Sequence, residues 1–358
     1  MRARWLAGLL SFASAVAVVG SGCGELDTAD RVHDLRLLAM RAEPPEQVLP
    51  VAFLPDGGVA AYPGAGSTDG GTGGDGGTAP PRVPQPAPVT VTALLADPAG
   101  NGREVSYRFT TCTALDPDRR CVEGSPRYRV LAEGTVTPSD TGAEPSVTFT
   151  PDYRLLADLV RRDALDGFGG VNLPVQIEIS AGDESVVGFK RVVFQFLPPP
   201  LPPRNRNPEL QALDYNGTAW EPDATPEFFA TERPTTPPLP GTGSGTDGGT
   251  QTGTNRVTPR VDPTQFEEYD RPTFDGEPVH FKESWRYNFY ATRGTFSPAS
   301  TGGGGNATTG NDRSTSSTWN TLEGQTTAGP MTVWVVVRDG RGGESWISRR
   351  AVAPAARR

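Results

Sequence analysis

The sequence predicts an all-β chain of two β-sandwich domains, interrupted by Gly/Pro-rich disordered inserts and carrying one short helix in the first domain. Three observations lead there. Apolar and polar residues alternate in short runs, as in Val105, Tyr107, Phe109 and again in Trp285, Tyr287, Phe289, the period-two signature of half-buried strands. Glycine (43) and proline (36) are both abundant in 358 residues of which 35% are hydrophobic, so part of the chain belongs outside any packed core. One segment alone, PDYRLLADLVRRDAL from Pro151, has helical spacing.

In chain order, Arg2 and Arg4 precede an apolar run from Leu6 to Val19 and the small residues Gly20, Ser21 and Gly22, directly ahead of Cys23. This is the anatomy of a secretory signal over 1–22, and the run falls short of the roughly 20 apolar residues of a membrane span. Residues 23–31 then form a tether. The first domain is expected over 32–197, beginning with a strand from Val32 to Ala42 and containing a flexible insert, 56–88, of glycine and proline. Val89 onward reads as strand, turn, strand. Cys112 and Cys121 bracket eight residues, and in an exported chain such a pair is most simply a disulfide, closing a loop worth roughly 2.7 kcal/mol. Thr150 is placed to cap the helix with Pro151 at its first position. Leu155, Leu156, Leu159 and Val160 form its apolar stripe, Gly167 stops it, and it serves as a crossover between two sheets. A hairpin through Val175–Ile179 and Val192–Phe196 completes the domain.

LPPPLPPR opens a Pro-rich linker, 198–207, read as a hinge. The second domain is expected over 208–353, with flexible inserts at 234–255 and 297–318 and no assignable structure over 208–277. Its end, PMTVWVVVRDGRGGESWISRRAVAP, is a hairpin with Asp339-Gly340 as a two-residue turn. In that register Trp346 lies opposite Val333 on the core side and Trp334 points outward, offering a possible aromatic binding surface. A slip of one residue would instead bring Trp346 outside beside Trp334. The two halves also look like diverged copies, SYRF at Ser106 corresponding to RYNF at Arg286, and Glu184-Ser185 and Lys190-Arg191-Val192 to Glu344-Ser345 and Arg349-Arg350-Ala351.

The segment ending in Gly20-Ser21-Gly22-Cys23 resembles a bacterial lipoprotein signal. That resemblance implies a diacylated Cys23 as mature N-terminus, and a chain held by lipid at the bacterial cell envelope, with the outer membrane as the expected site. The alternative is an ordinary secretory signal with Cys23 incidental. The strand spacing and the terminal hairpin over most of 89–197 and 278–353 resemble tandem immunoglobulin-like or PKD-like domains of envelope lipoproteins, which implies binding or scaffolding.

The net charge is −9, and two more negative once Arg2 and Arg4 are lost with the signal, which argues against nucleic acid as a partner. The chain has two histidines, His33 and His280, scant material for a metal cluster or a triad, and no hydrolase or phosphate-loop motif. No cofactor, metal site or catalytic residue is therefore expected. Two rival readings are a polysaccharide-binding module, from Trp285, Trp319, Trp334 and Trp346, and a hydrolase using paired carboxylates among Glu267, Glu268, Asp270, Asp275 and Glu277. The binding partner itself, envelope protein or polysaccharide, is not written in these residues.

Overall fold

The computed structural model describes residues 29–53, 59–61, 85–165, 167–197, 200–231, 254–271, 273, 277–303, 314–322 and 325–356. The signal segment and Cys23 lie outside them.

The first half contains β1 (Arg36–Glu43), β2 (Glu46–Phe53), β3 (Val59–Ala61), β4 (Val89–Ala96), β5 (Val105–Thr111), β6 (Arg129–Val136), β7 (Ser146–Phe149), α1 (Tyr153–Arg162), β8 (Val171–Ala181) and β9 (Glu184–Leu197). A three-stranded sheet, β1-β4-β7, faces a six-stranded one, β3-β2-β9-β8-β5-β6. All pairings are antiparallel except β2 with β9. The alternation seen in the sequence becomes the core: Val89, Val91, Ala93 and Leu95 of β4 point at Phe109, Ile177, Val192 and Phe194 of the facing sheet, as a period of two requires. Helix α1 crosses from β7 in one sheet to β8 in the other, with Leu155 and Leu156 buried. Its cap is Asp152 rather than Thr150: the Asp152 carboxylate accepts the amide of Arg154 at 2.9 Å and also holds Arg129 at 2.9 Å. Those contacts hold the Asp152 carboxyl below the usual aspartate range, the Arg154 amide first.

The second half contains β10 (Ala212–Tyr215), β11 (Thr218–Ala219), β12 (Asn255–Arg260), β13 (Glu268–Arg271), β14 (Val279–Lys282), β15 (Arg286–Ala291), β16 (Thr295–Ser297), β17 (Ser300–Gly302), β18 (Ser317–Asn320), β19 (Gly329–Arg338) and β20 (Glu344–Ala353). A five-stranded sheet, β11-β10-β12-β18-β16, faces a four-stranded one, β17-β15-β19-β20, and β13-β14 form a separate ribbon. Between the two larger sheets lie Trp285, Tyr287, Phe289, Trp319 and Val335.

Several expectations about the inserts change. Strand β3 lies inside 56–88, and Ala87 is fixed by Gln47, which both donates to and accepts from its backbone at 2.8 Å. Strand β17 and the ends of β16 and β18 fall within 297–318, of which 304–313 lies outside the described residues, and β10, β11 and β12 bring 208–277 into a sheet shared with β18 and β16. The segment 232–253 lies outside the described residues.

The two sandwiches stack. Leu38 and Ala39 of β1 and Leu94 and Ala96 of β4, on the face of their sheet away from the first core, pack against Trp334 and Val336 of β19. Met331, Val333, Val335 and Val337, at the alternate positions of β19, belong to the second core. The sheets therefore run six, three, four and five strands deep, and the two in the middle are covered on both faces. This explains why seven consecutive residues of β19, Met331 to Val337, are buried: a strand covered twice loses its polar alternation. The chain just ahead of β1 joins the second half as well. Val32 donates to Ala291 O at 2.8 Å, Ala291 to Asp30 O at 2.9 Å, and the Asp30 carboxylate accepts the amide of Phe296 at 2.5 Å.

One three-strand ladder occurs in both halves. Tyr107 and Phe109 of β5 pair with Ile179 and Ile177 of β8, as Tyr287 and Phe289 of β15 pair with Val337 and Val335 of β19. Following the ladders outward, Lys190-Arg191-Val192 matches Arg349-Arg350-Ala351 in register, while Ser185, not Glu184, stands where Glu344 does. The reason is the turn. β8 and β9 close on two residues, Ala181 pairing Glu184, whereas Arg338 pairs Glu344 across five.

Candidate functional site

That five-residue loop, Asp339-Gly340-Arg341-Gly342-Gly343, organises the junction between the sandwiches. Asp339 does not form the expected tight turn with Gly340. Its carboxylate accepts the amides of Arg341 at 2.6 Å and of Gly343 at 2.9 Å, which winds the loop around it, and Gly342 takes a φ of +111° that a side chain would resist. A Cβ on Gly343 would lie 2.1 Å from Asp339 Oδ2. The Asp339 carboxyl also accepts Asn205 Nδ2 at 2.9 Å. Burial pushes its pKa up, against the pull of Asn205, the two amides and Lys190.

Arg341 is the centre. Its guanidinium is 8% exposed and meets three carboxylates, Glu46 at 3.0 Å, Glu267 at 3.0 Å and Glu283 at 3.3 Å. It also stacks over Tyr269, 4.1 Å from the ring centre. Glu46 belongs to the first half, Glu267 and Glu283 to the second. Glu46 accepts in addition from Gln195 Nε2 and from the amide of Asn205 at 2.7 Å, while Arg206 reaches Glu267 at 2.8 Å. Glu283 accepts Trp285 Nε1 at 3.1 Å. Burial lifts its carboxyl to about 7, from an ordinary value of 4.5, against the hydrogen bonds of Trp285 and the Glu267 amide. Beside this cluster, Lys190 and Glu344 form a second pair at 3.1 Å, each 7% exposed, and Arg338 joins Glu344 at 2.6 Å. Burial lowers the pKa of Lys190, with Glu344 opposing.

The linker is thus not a free hinge. Asn205 is 1% exposed, and Asn207 donates to Ala42 O at 2.7 Å and accepts the amide of Glu344 at 2.9 Å, so it is bonded to both halves. Over the cluster opens a cleft of about 950 Å³, walled by β9, Pro202-Pro203, β13 and the 340–343 loop. Each acid in the cluster is held by a cation or an amide.

Of the residues singled out in the sequence, Glu267 belongs to this cluster and Glu268 and Asp270 line the cleft, while the others lie elsewhere. Cys112 and Cys121 form the disulfide, Cα atoms 5.6 Å apart, and the amide of Cys121 donates to buried Gln176 at 2.8 Å. Trp334 is a correction: it is fully buried, its indole N–H donating to Thr141 O at 2.9 Å, because the face expected to meet solvent meets the first half. Trp346 pairs with Val336, not Val333. It shares that face, half-buried under Arg41 at 5.0 Å, with its indole on Glu144 at 2.8 Å. Trp285 and Trp319 are core. Of the carboxylates considered for hydrolysis, Glu267 is tied to Arg206 and Arg341, and Glu268 and Asp270 flank His280 at 3.6 and 2.9 Å on the exposed ribbon. Asp275 lies outside the described residues. His33 is beside Asp34 at 2.8 Å. Among the described residues no cluster of His, Cys, Asp and Glu could hold a metal ion. No described helix is long and apolar enough to cross a membrane.

No protein-family model and no curated protein matches the chain. Solved structures to which it is similar include Escherichia coli alpha-2-macroglobulin activated by porcine elastase, at 11% identity and a TM-score of 0.22, covering 92% of this chain and 22% of that one. Dimeric latent PorU from Porphyromonas gingivalis gives 11% and 0.18, covering 92% and 24%. The cadherin-like domains 1 to 4 of zebrafish RET give 14% and 0.14, covering 71% and 42%. The chain spans about a quarter of the first two and less than half of the third. At these scores the likeness is one of β-rich architecture and carries no function.

Proposed function

We propose that this chain is a lipid-anchored scaffold or binding protein of the bacterial cell envelope, attached through Cys23, with its two sandwiches acting as one rigid unit. The observation that supports it most is Arg341, a buried guanidinium from the second half shared with Glu46 of the first and with Glu267 and Glu283. Groups drawn from both sandwiches and the linker into one desolvated cluster hold a fixed relative orientation, which is what a spacer or display platform needs. Polysaccharide recognition through tryptophan has less support, since Trp285, Trp319 and Trp334 are buried and half-buried Trp346 lies under Arg41. The test is growth of expressing cells with a labelled fatty acid, followed by membrane fractionation and protein crosslinking. Label and membrane association should both vanish in Cys23→Ser, and crosslinks should join the wild type to envelope proteins. Undiminished labelling of the variant would remove the anchor from the proposal.

A further inference from the structure

The ribbon and the cleft together offer more than a clamp. All four residues of β13 line the cleft, while the pairing of β13 is with β14 alone. The strand thus borders the cleft, and its other edge has no strand partner among the described residues. A strand edge with free N–H and C=O groups is the template on which an extended peptide adds.

The charges say what kind of peptide. Each carboxylate lining the cleft has a basic partner: Glu46 has Arg341, Glu344 has Lys190 and Arg338, Glu268 has Lys282, and Asp270 has the His280 ring, a hydrogen-bond partner at 2.9 Å. Two exposed guanidiniums lining the same cleft are left without a carboxylate. Arg191, on β9, makes no side-chain hydrogen bond or ion pair among the described residues, and Arg271, at the end of β13, only covers Tyr269 and Phe281 at 5.5 and 5.6 Å. The aromatic surface is already spent: one ring stacks on the other at 5.6 Å, and Arg341 covers Tyr269 at 4.1 Å. A sugar ring would find no open face to stack on.

We propose that the cleft between the sandwiches binds an extended acidic peptide segment of a partner protein, added as a third strand to the β13-β14 ribbon and held by Arg191 and Arg271. This goes beyond the scaffolding reading and does not depend on the lipid anchor. The experiment uses the full-length chain in detergent, a random-peptide display library, and fluorescence anisotropy on synthetic copies of the enriched sequences. Enriched peptides should be rich in Asp and Glu and bind more weakly as salt rises. Their affinity should fall about tenfold or more in Arg191→Glu/Arg271→Glu. N-methylation of alternate amides in the peptide should abolish binding to the unaltered protein, a readout that needs no variant to fold. Absence of enrichment, enrichment of sequences without acids, binding indifferent to N-methylation, or displacement of the peptides by polygalacturonate at lower concentration would each overturn the proposal.

Discussion

Replacing Arg341 by methionine tests the junction most directly. Methionine keeps much of the volume of the side chain over Tyr269 while removing the charge. It leaves Glu46, Glu267 and Glu283, with exposures of 4, 15 and 2%, without the cation they share. Removing one partner of a buried ion pair costs about 3 to 5 kcal/mol. For domains of this size each kcal/mol moves Tm by about 2 to 4 °C, so the main calorimetric transition should fall by roughly 6 to 20 °C. The loss should also depend on pH. Glu283 has a folded-state pKa of about 7, above its ordinary 4.5, so the stability it contributes is complete below 4.5 and is lost as pH rises through 7. The surrounding charges set the same sign. Asp339 is raised too, and without the guanidinium the three carboxylates repel more strongly when ionised. The gap in Tm between Arg341→Met and wild type should therefore be wide at pH 8 and narrow at pH 5. A fall under about 3 °C at pH 8, or an equal fall at both values, would refute the assignment of Arg341 as the centre of a desolvated cluster.

Trp334→Ala should cost about 3 to 5 kcal/mol, as removal of a fully buried large side chain does, and Trp346→Ala clearly less; equal losses in denaturant titrations would contradict the stacked faces. Native oxidised protein should show no alkylatable thiol at Cys112 or Cys121, and the double alanine variant should lose about 2.7 kcal/mol by the loop-closure argument, read from the same titrations. Gly343→Ala should destabilise the loop, because the added Cβ has no room beside Asp339 Oδ2, and should lower the thermal midpoint in calorimetry, whereas Gly182→Ala, where a Cβ meets nothing within 4 Å, pays only for its positive φ.

What was legible in the sequence was local. Alternation marked β5, β8, β9 and β15, and the stripe of Leu155 and Leu156 marked α1, because both signals need only neighbours a few residues away. The register of β19 and β20 was not legible. Asp339-Gly340 is a strong turn signal, yet the Asp339 carboxylate binds the amides of Arg341 and Gly343 instead, and Gly342 and Gly343 let a longer loop follow. The odd shift this produces exchanges the faces of β20. Nor could alternation reveal what covers each face of a strand: Trp334 and Val336 were apolar on the supposed solvent side, and that double apolarity was the available sign of a second partner. The buried cluster was beyond reach for a simpler reason. Glu46 and Arg341 are 295 residues apart, and nothing in the spacing of charged residues distinguishes a pair that folding brings together from two that stay in water.

The short parallel bridge at Arg31 and Ala291, with Asp30 on the amide of Phe296, has a mechanical consequence. A pull on the chain ahead of Ala29 reaches the second sandwich first, through Asp30 and Val32, before it can load β1. Such a pull must first break the few hydrogen bonds near Ala291, ahead of any unzipping of β1 from its sandwich.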